Sequence, residues 1–194
     1  MGLLFKLLGF EAAGPELMVP IVGALHGVSY KLHEVFLVEF SVSSLVPVAT
    51  QVTGLSGEKL SWACVLFGYA LCFLTFEASL VYSSAVEKGE ADGYNVFAPR
   101  TMASRREGLG ARLFGAHCNA NEDLAPFGLA VACACLLGAD ADYVAALAVA
   151  HAICRAAHWA GYAANLVAVR SLAFVMGQHS TALIFAAALW SFRL

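Results

Sequence analysis

The sequence predicts an all-α polytopic membrane protein: a bundle of four transmembrane helices in residues 61–194, behind an N-terminal extension, residues 1–60, of peripheral or re-entrant helices. Three observations predict it. Charged residues make up only 13% of the chain and hydrophobic ones 60%, against roughly a quarter charged in soluble domains, so a solvated shell cannot be assembled. Mean hydropathy is correspondingly high, at +0.74. Apolar stretches also recur at close to the roughly 20 residues that cross a bilayer's hydrocarbon.

Four stretches have the length and apolarity of spans: residues 62–86, 113–137, 143–169 and 171–192. Residues 87–112 form the main polar connection, which holds Pro99, several glycines and charges of both signs. Lys88, Arg100, Arg105, Arg106 and Arg112 crowd this first loop and Arg170 lies in the third, whereas the second offers Asp140 and Asp142 and no base. Basic residues near span ends stay on the cytosolic side. The first and third loops are therefore expected to face the cytosol or its organellar equivalent, with the C-terminus and the start of the first span opposite.

The extension is less uniform. Residues 35–52 are apolar enough to suggest a fifth span, but Glu39, three serines and Pro47 interrupt them, and His26, Lys31, His33 and Glu34 precede them; a peripheral or re-entrant helix fits this composition better. The N-terminus lacks the Ser or Thr at position 6 of a myristoylation signal, since Lys6 stands there, and shows no clear signal-peptide pattern.

Other function classes are excluded on composition. A net charge of -3 without a long basic run does not suit nucleic acid or an anionic surface. The six cysteines, Cys64, Cys72, Cys118, Cys133, Cys135 and Cys154, lie in or beside apolar segments without zinc-site spacing. They read as small apolar fillers, and no metal site is expected. No internal repeat or pair of broken helices points to a transporter.

Within the third span, Ala148, Ala152, Ala156, Ala160, Ala164 and Ala168 recur at every fourth position, a ridge over which helices could approach closely in lipid. The same span carries His151, Arg155, His158, Tyr162 and Asn165, spaced by alternating steps of four and three, which is one polar stripe on a helix. Arg112, Asn119 and Glu122 form a second stripe on span two. A charge at mid-bilayer costs roughly 2.5–3.5 kcal/mol on insertion scales, so each stripe needs a partner or a use, and the two together imply a shared polar seam. Each residue alone could serve only to tie helices together; as a set they suggest a ligand site. Arg170 and Ser171, at the expected start of span four, could meet an anion with a guanidinium, a hydroxyl and free backbone N–H groups, or could be an ordinary basic anchor with an N-cap serine. Glu77, inside the first span, is expected to pair with a base on a neighbouring helix. His117 and His179 lack a ligand constellation around them.

The run from Arg112 to Phe127, with Ala116-His117, Asn119, Glu122 and Pro126-Phe127 in order, resembles the signature of the MAPEG family, membrane-associated proteins of eicosanoid and glutathione metabolism. Arg155, His158 and Tyr162 resemble that family's third-helix motif and Arg170-Ser171 its fourth-helix motif; the segment 95–100, ending Ala98-Pro99-Arg100, resembles the preceding loop of bacterial-type members. The likeness covers residues 62–194. It implies a four-helix homotrimer that binds glutathione between subunits near the cytosolic side and conjugates, isomerises or reduces lipophilic small molecules arriving through membrane lipid. By resemblance, Asn119 and Glu122 would bind the peptide end of glutathione and Arg155, His158 and Tyr162 would line its cleft, with Arg112 on the same polar face. Arg170 and Ser171 would hold the sulfur. Lowering a thiol's pKa by about two units takes roughly 2.7 kcal/mol of thiolate stabilisation, within reach of a guanidinium, a hydroxyl and a helix start poorly screened near lipid.

Three positions depart from the family pattern. Gly115 and Cys118 stand where its glutathione-gripping arginines often do, and Phe174 stands near the place of an aromatic hydroxyl used by some members. These departures, with the 60-residue extension, motivate an alternative: a catalytically degenerate accessory subunit of a larger membrane complex.

Overall fold

A long apolar segment without water can satisfy its backbone polar groups internally only as a helix, and each such segment here forms one. The computed structural model describes residues 40–86 and 108–191. A π-helical turn (Ser41–Leu45) runs into α1 (Val46–Thr53), followed by α2 (Gly57–Val86), α3 (Gly108–Leu136), α4 (Ala141–Ala163) and α5 (Val167–Ser191). Among the described residues there is no strand. The first 39 residues and most of the polar loop, with Lys88, Arg100, Arg105 and Arg106, lie outside the described residues.

The helix ends have local causes. α1 stops at Gly54, whose φ of 70° is left-handed and whose N–H returns to the Thr50 carbonyl at 2.8 Å. α3 closes through Gly138, also left-handed, with the Ala139 N–H bonded back to the Ala134 carbonyl at 2.9 Å. Asp140 then caps α4, its carboxylate accepting from the Tyr143 N–H at 2.8 Å.

The turn between α4 and α5 corrects three sequence expectations. α4 ends at Ala163 and α5 begins at Val167, whereas the apolar pattern placed the break near 170. Asn165 takes a left-handed φ of 58°, and the Leu166 N–H bonds to the Gly161 carbonyl at 2.8 Å, so the chain reverses inside an unbroken apolar run. Asn165 therefore leaves the polar stripe. Arg170 lies within α5, its N–H committed to the Leu166 carbonyl at 3.0 Å, so it is not the helix start and offers no free backbone donor. The alanine ridge is corrected too: Ala148 is buried and Ala152 and Ala156 half-buried, but Ala160 is exposed and Ala164 and Ala168 lie outside α4.

The four long helices form a bundle, with α4 packed along α5 and against α2, and α3 against α2, α4 and α5. Phe127, Val131, Leu147 and Ile184 are the largest fully buried apolar side chains. Around them Ala130, Ala134, Ala145 and Ala148 let the backbones approach. Leu45, Val46, Ala49 and Leu55 close one end of this core.

α2 buries Ser61, Cys64, Cys72, Thr75 and Ser79 along one side and exposes Trp62, Leu66, Tyr69, Phe73 and Val81 along the other. A helix apolar on its outer face suits lipid or another protein. Glu77 is exposed on α2, and among the described residues no base pairs with it. α2 and α5, over Gly57–Tyr82 and Val167–Ser191, are long and apolar enough to cross a membrane by length and composition. α3 and α4 fall short of that apolarity because both carry several charged, imidazole and amide side chains.

α2 and α3 are also joined by a closed polar clamp. The Cys72 thiol donates to Asn121 Oδ1 at 3.0 Å, the Asn121 amide lies 2.9 Å from His117 Nε2, and His117 Nδ1 lies 3.0 Å from the Cys72 carbonyl. A carbonyl only accepts, so Nδ1 carries the proton and Nε2 accepts from Asn121. Every group in the ring is satisfied, which makes it a tie between helices.

Candidate functional site

The polar residues of α3, α4 and α5 meet in two layers. The outer layer is built on Tyr162 in the last turn of α4. Asn119 donates to the Tyr162 hydroxyl at 2.9 Å and to the Gly115 carbonyl at 2.9 Å. The Arg170 guanidinium lies over the Tyr162 ring, 4.6 Å from its centroid. Arg112 reaches the end of α4, its Nε donating to the Tyr162 carbonyl at 3.1 Å and its Nη2 to the Ala163 carbonyl at 3.5 Å, a favourable place for a cation at a helix C-terminus. Gly115 is why Tyr162 fits: a Cβ there would stand 3.2 Å from the ring. Ser171 is half-buried beside Arg170.

The step between layers is His158, whose Nδ1 donates to the Arg170 carbonyl at 2.8 Å and whose ring meets Tyr162 edge-on and Phe174 at a tilt. At this level the helices nearly touch, since a Cβ on Gly161 would lie 2.8 Å from the Arg170 backbone nitrogen.

The inner layer is centred on Asp123, only 4% exposed. Its Oδ2 lies 3.0 Å from both His151 Nε2 and Arg155 Nε, and Gln178 donates to its Oδ1 at 2.7 Å. Arg155 Nη2 also donates to the Phe174 carbonyl at 3.4 Å, and Phe174 carries the guanidinium 5.3 Å above its ring. His151 Nδ1 lies 3.0 Å from the Gly177 carbonyl, and the imidazole stacks on Phe127 at 3.8 Å. A small cavity adjoins this cluster, lined by Gly68 and Leu71 of α2 and by Ala120 and Leu124 of α3.

Among the side-chain atoms of α4 buried without a hydrogen-bond partner, beside Trp159 Nε1 and the Arg155 Nε that ion-pairs with Asp123, are Arg155 Nη1 and His158 Nε2. They belong to residues 4% and 5% exposed, one helical turn apart on the same helix. Buried polar atoms are normally satisfied, and an orphan costs about 1–3 kcal/mol. The arrangement therefore offers a donor and an imidazole nitrogen to a group from outside the chain.

Of the residues expected from sequence, the structure brings Arg112, Asn119, Tyr162 and Arg170 into one layer and joins it to Arg155 through His158. Glu122 departs from its expected place: it is exposed, and neighbouring Asp123 takes the buried position. Asp123, Gln178 and Phe127 were not expected at the site. A signal for Asp123 exists in the sequence, because Leu113, Ala116, Phe127, Ala130 and Ala134 are all buried on one side of α3 and residue 123 is in phase with them. Among the described residues no group of three or more His, Cys, Asp or Glu could hold a metal ion.

A model of the MAPEG family matches residues 60–190 of the chain. No curated protein and no solved structure matches it.

Proposed function

Starting from the fact that the chain belongs to the MAPEG family and is accordingly an integral membrane protein, we propose that it is a glutathione-dependent transferase or peroxidase acting on lipophilic electrophiles. In this reading α2 to α5 all cross the membrane, the α2–α3 and α4–α5 connections face the cytosol or its equivalent, and residues 1–60 are a peripheral or re-entrant addition. The working unit is a homotrimer in membrane lipid.

One observation carries the reading: the orphaned Arg155 Nη1 and His158 Nε2 lie buried on adjacent turns of α4. A peptide-like thiol supplies what they lack, since its carboxylate and amide carbonyls accept from a guanidinium and its amide N–H groups donate to imidazole. Asn119 and Tyr162 border the same seam. At the outer layer Arg170 and Ser171 place a guanidinium and a hydroxyl where they would favour the thiolate. The Arg170 N–H is committed within α5, so the guanidinium carries most of that stabilisation. The thiolate then attacks an electrophile delivered from the bilayer. Glu122, facing outward, would meet the ligand only through a neighbouring subunit.

The test is glutathione titration of the detergent-solubilised protein, with oligomeric mass read on the same sample. Saturable binding to a homotrimer, and loss of conjugating or peroxidase activity in Arg170→Ala with the fold retained, are the expected results; full turnover by that variant would remove Arg170 from its role.

The Gly115–Tyr162 contact favours a second reading. Tyr162 fills space that an arginine at 115 would need, and Asn119 is spent on its hydroxyl. A chain so arranged could keep the bundle without the enzyme, as an accessory subunit of a larger membrane complex. Absence of glutathione binding together with stable co-migration in a large assembly would select it.

A further inference from the structure

Arg155 is controlled by a residue that none of the sequence motifs singled out for a role. We infer that Asp123 is a positioning residue for the ligand seam: it holds the Arg155 guanidinium by charge at Nε and so keeps Nη1 available to an acceptor on the ligand. The inference rests on the glutathione reading above. Three constraints support it. Asp123 itself cannot turn, because Gln178 of α5 binds Oδ1 at 2.7 Å while His151 shares Oδ2 at 3.0 Å. The guanidinium is confined on its other side by the Phe174 carbonyl, 3.4 Å from Nη2, and by Gly177, which leaves room for it and no more. With Nε facing Asp123 at 3.0 Å and Nη2 on Phe174, Nη1 is the remaining terminal nitrogen, and it is buried without a partner. Glu122 cannot take over this task, being one residue and about 100° away on the exposed side of α3.

The test is a double-mutant cycle read in glutathione affinity of the solubilised full-length protein, using Asp123→Asn, Arg155→Gln and both together. Each single variant is expected to weaken binding by about tenfold, and the double variant to bind no more weakly than Arg155→Gln, because Asp123 acts through Arg155. Asp123→Glu, which restores the charge, should recover part of the loss. Removing both charges together leaves no buried charge uncompensated, so the double variant should fold even where a single one does not. Gln178→Leu, which frees Asp123 without changing any charge, supplies an independent arm with an expected loss of about threefold. Additive losses, or wild-type affinity in Asp123→Asn or Gln178→Leu, would overturn the inference alone. No glutathione binding by the unmodified protein would overturn the proposed function, and the inference with it.

Discussion

Gly177 and Arg155 meet across α5 and α4 at a distance that excludes any side chain on the glycine: a Cβ there would lie 2.9 Å from Arg155 Nη2 and 3.1 Å from Nε. The guanidinium could swing away only by leaving Asp123 and the Phe174 carbonyl. Gly177→Ala is therefore expected to cost about 1–3 kcal/mol of stability as an overpacked site, measured as a lower unfolding midpoint in detergent, and to weaken glutathione binding as well. Unchanged stability would mean that Arg155 has another place to go.

Gly161→Ala should be worse. There the clash, 2.8 Å, is with the backbone nitrogen of Arg170, which cannot rotate out of the way, so α4 and α5 must separate. The unfolding midpoint is expected to fall further than for Gly177→Ala under identical conditions, and the reverse order would contradict the close approach of the two helices.

Glu122 and Asp123 are adjacent acids with opposite surroundings, and their amide substitutions separate the two. Glu122→Gln, on the exposed side, should change stability by no more than about 0.5 kcal/mol. Asp123→Asn removes a carboxylate from between Arg155 and His151 and should cost about 3–5 kcal/mol, the usual penalty for stranding a buried charge. Equal effects would mean that α3 does not turn Asp123 inward and Glu122 outward.

The clamp between α2 and α3 predicts an effect at a residue far from the arginines. Asn121→Leu leaves the Cys72 thiol without its acceptor and His117 Nε2 without its donor, for an expected loss of about 1–3 kcal/mol. Cys72→Ala removes one weak donor and should cost less. Chemical denaturation of the two variants side by side checks the order.

Gly115→Arg places a long side chain where an added Cβ would already stand 3.2 Å from the Tyr162 ring. The substitution alone should lower stability by about 1–3 kcal/mol through overpacking. Combined with Tyr162→Ala, which vacates the space, it should be tolerated better than in the native background, and thermal unfolding of the single and double variants reads this directly.

Much of this protein is legible in the sequence. Low charge and long apolar stretches of about 20 residues determine helices, since a single segment can satisfy its own backbone without water only in that form, and the spacing of Arg155, His158 and Tyr162 by itself places them on one face of α4. Two things were decided only by tertiary structure. The α4–α5 turn is hidden because it lies in an apolar run and depends on Asn165 adopting a left-handed φ of 58°, a choice that composition does not announce. Which of Glu122 and Asp123 faces inward is a matter of about 100° of rotation, set by Phe127 stacking on His151 and by Leu113 and Ala116 packing inside. Sequence periodicity determines that a helix has a polar face; only contact with the neighbouring helices determines how that face is turned, and with it the acid that holds Arg155.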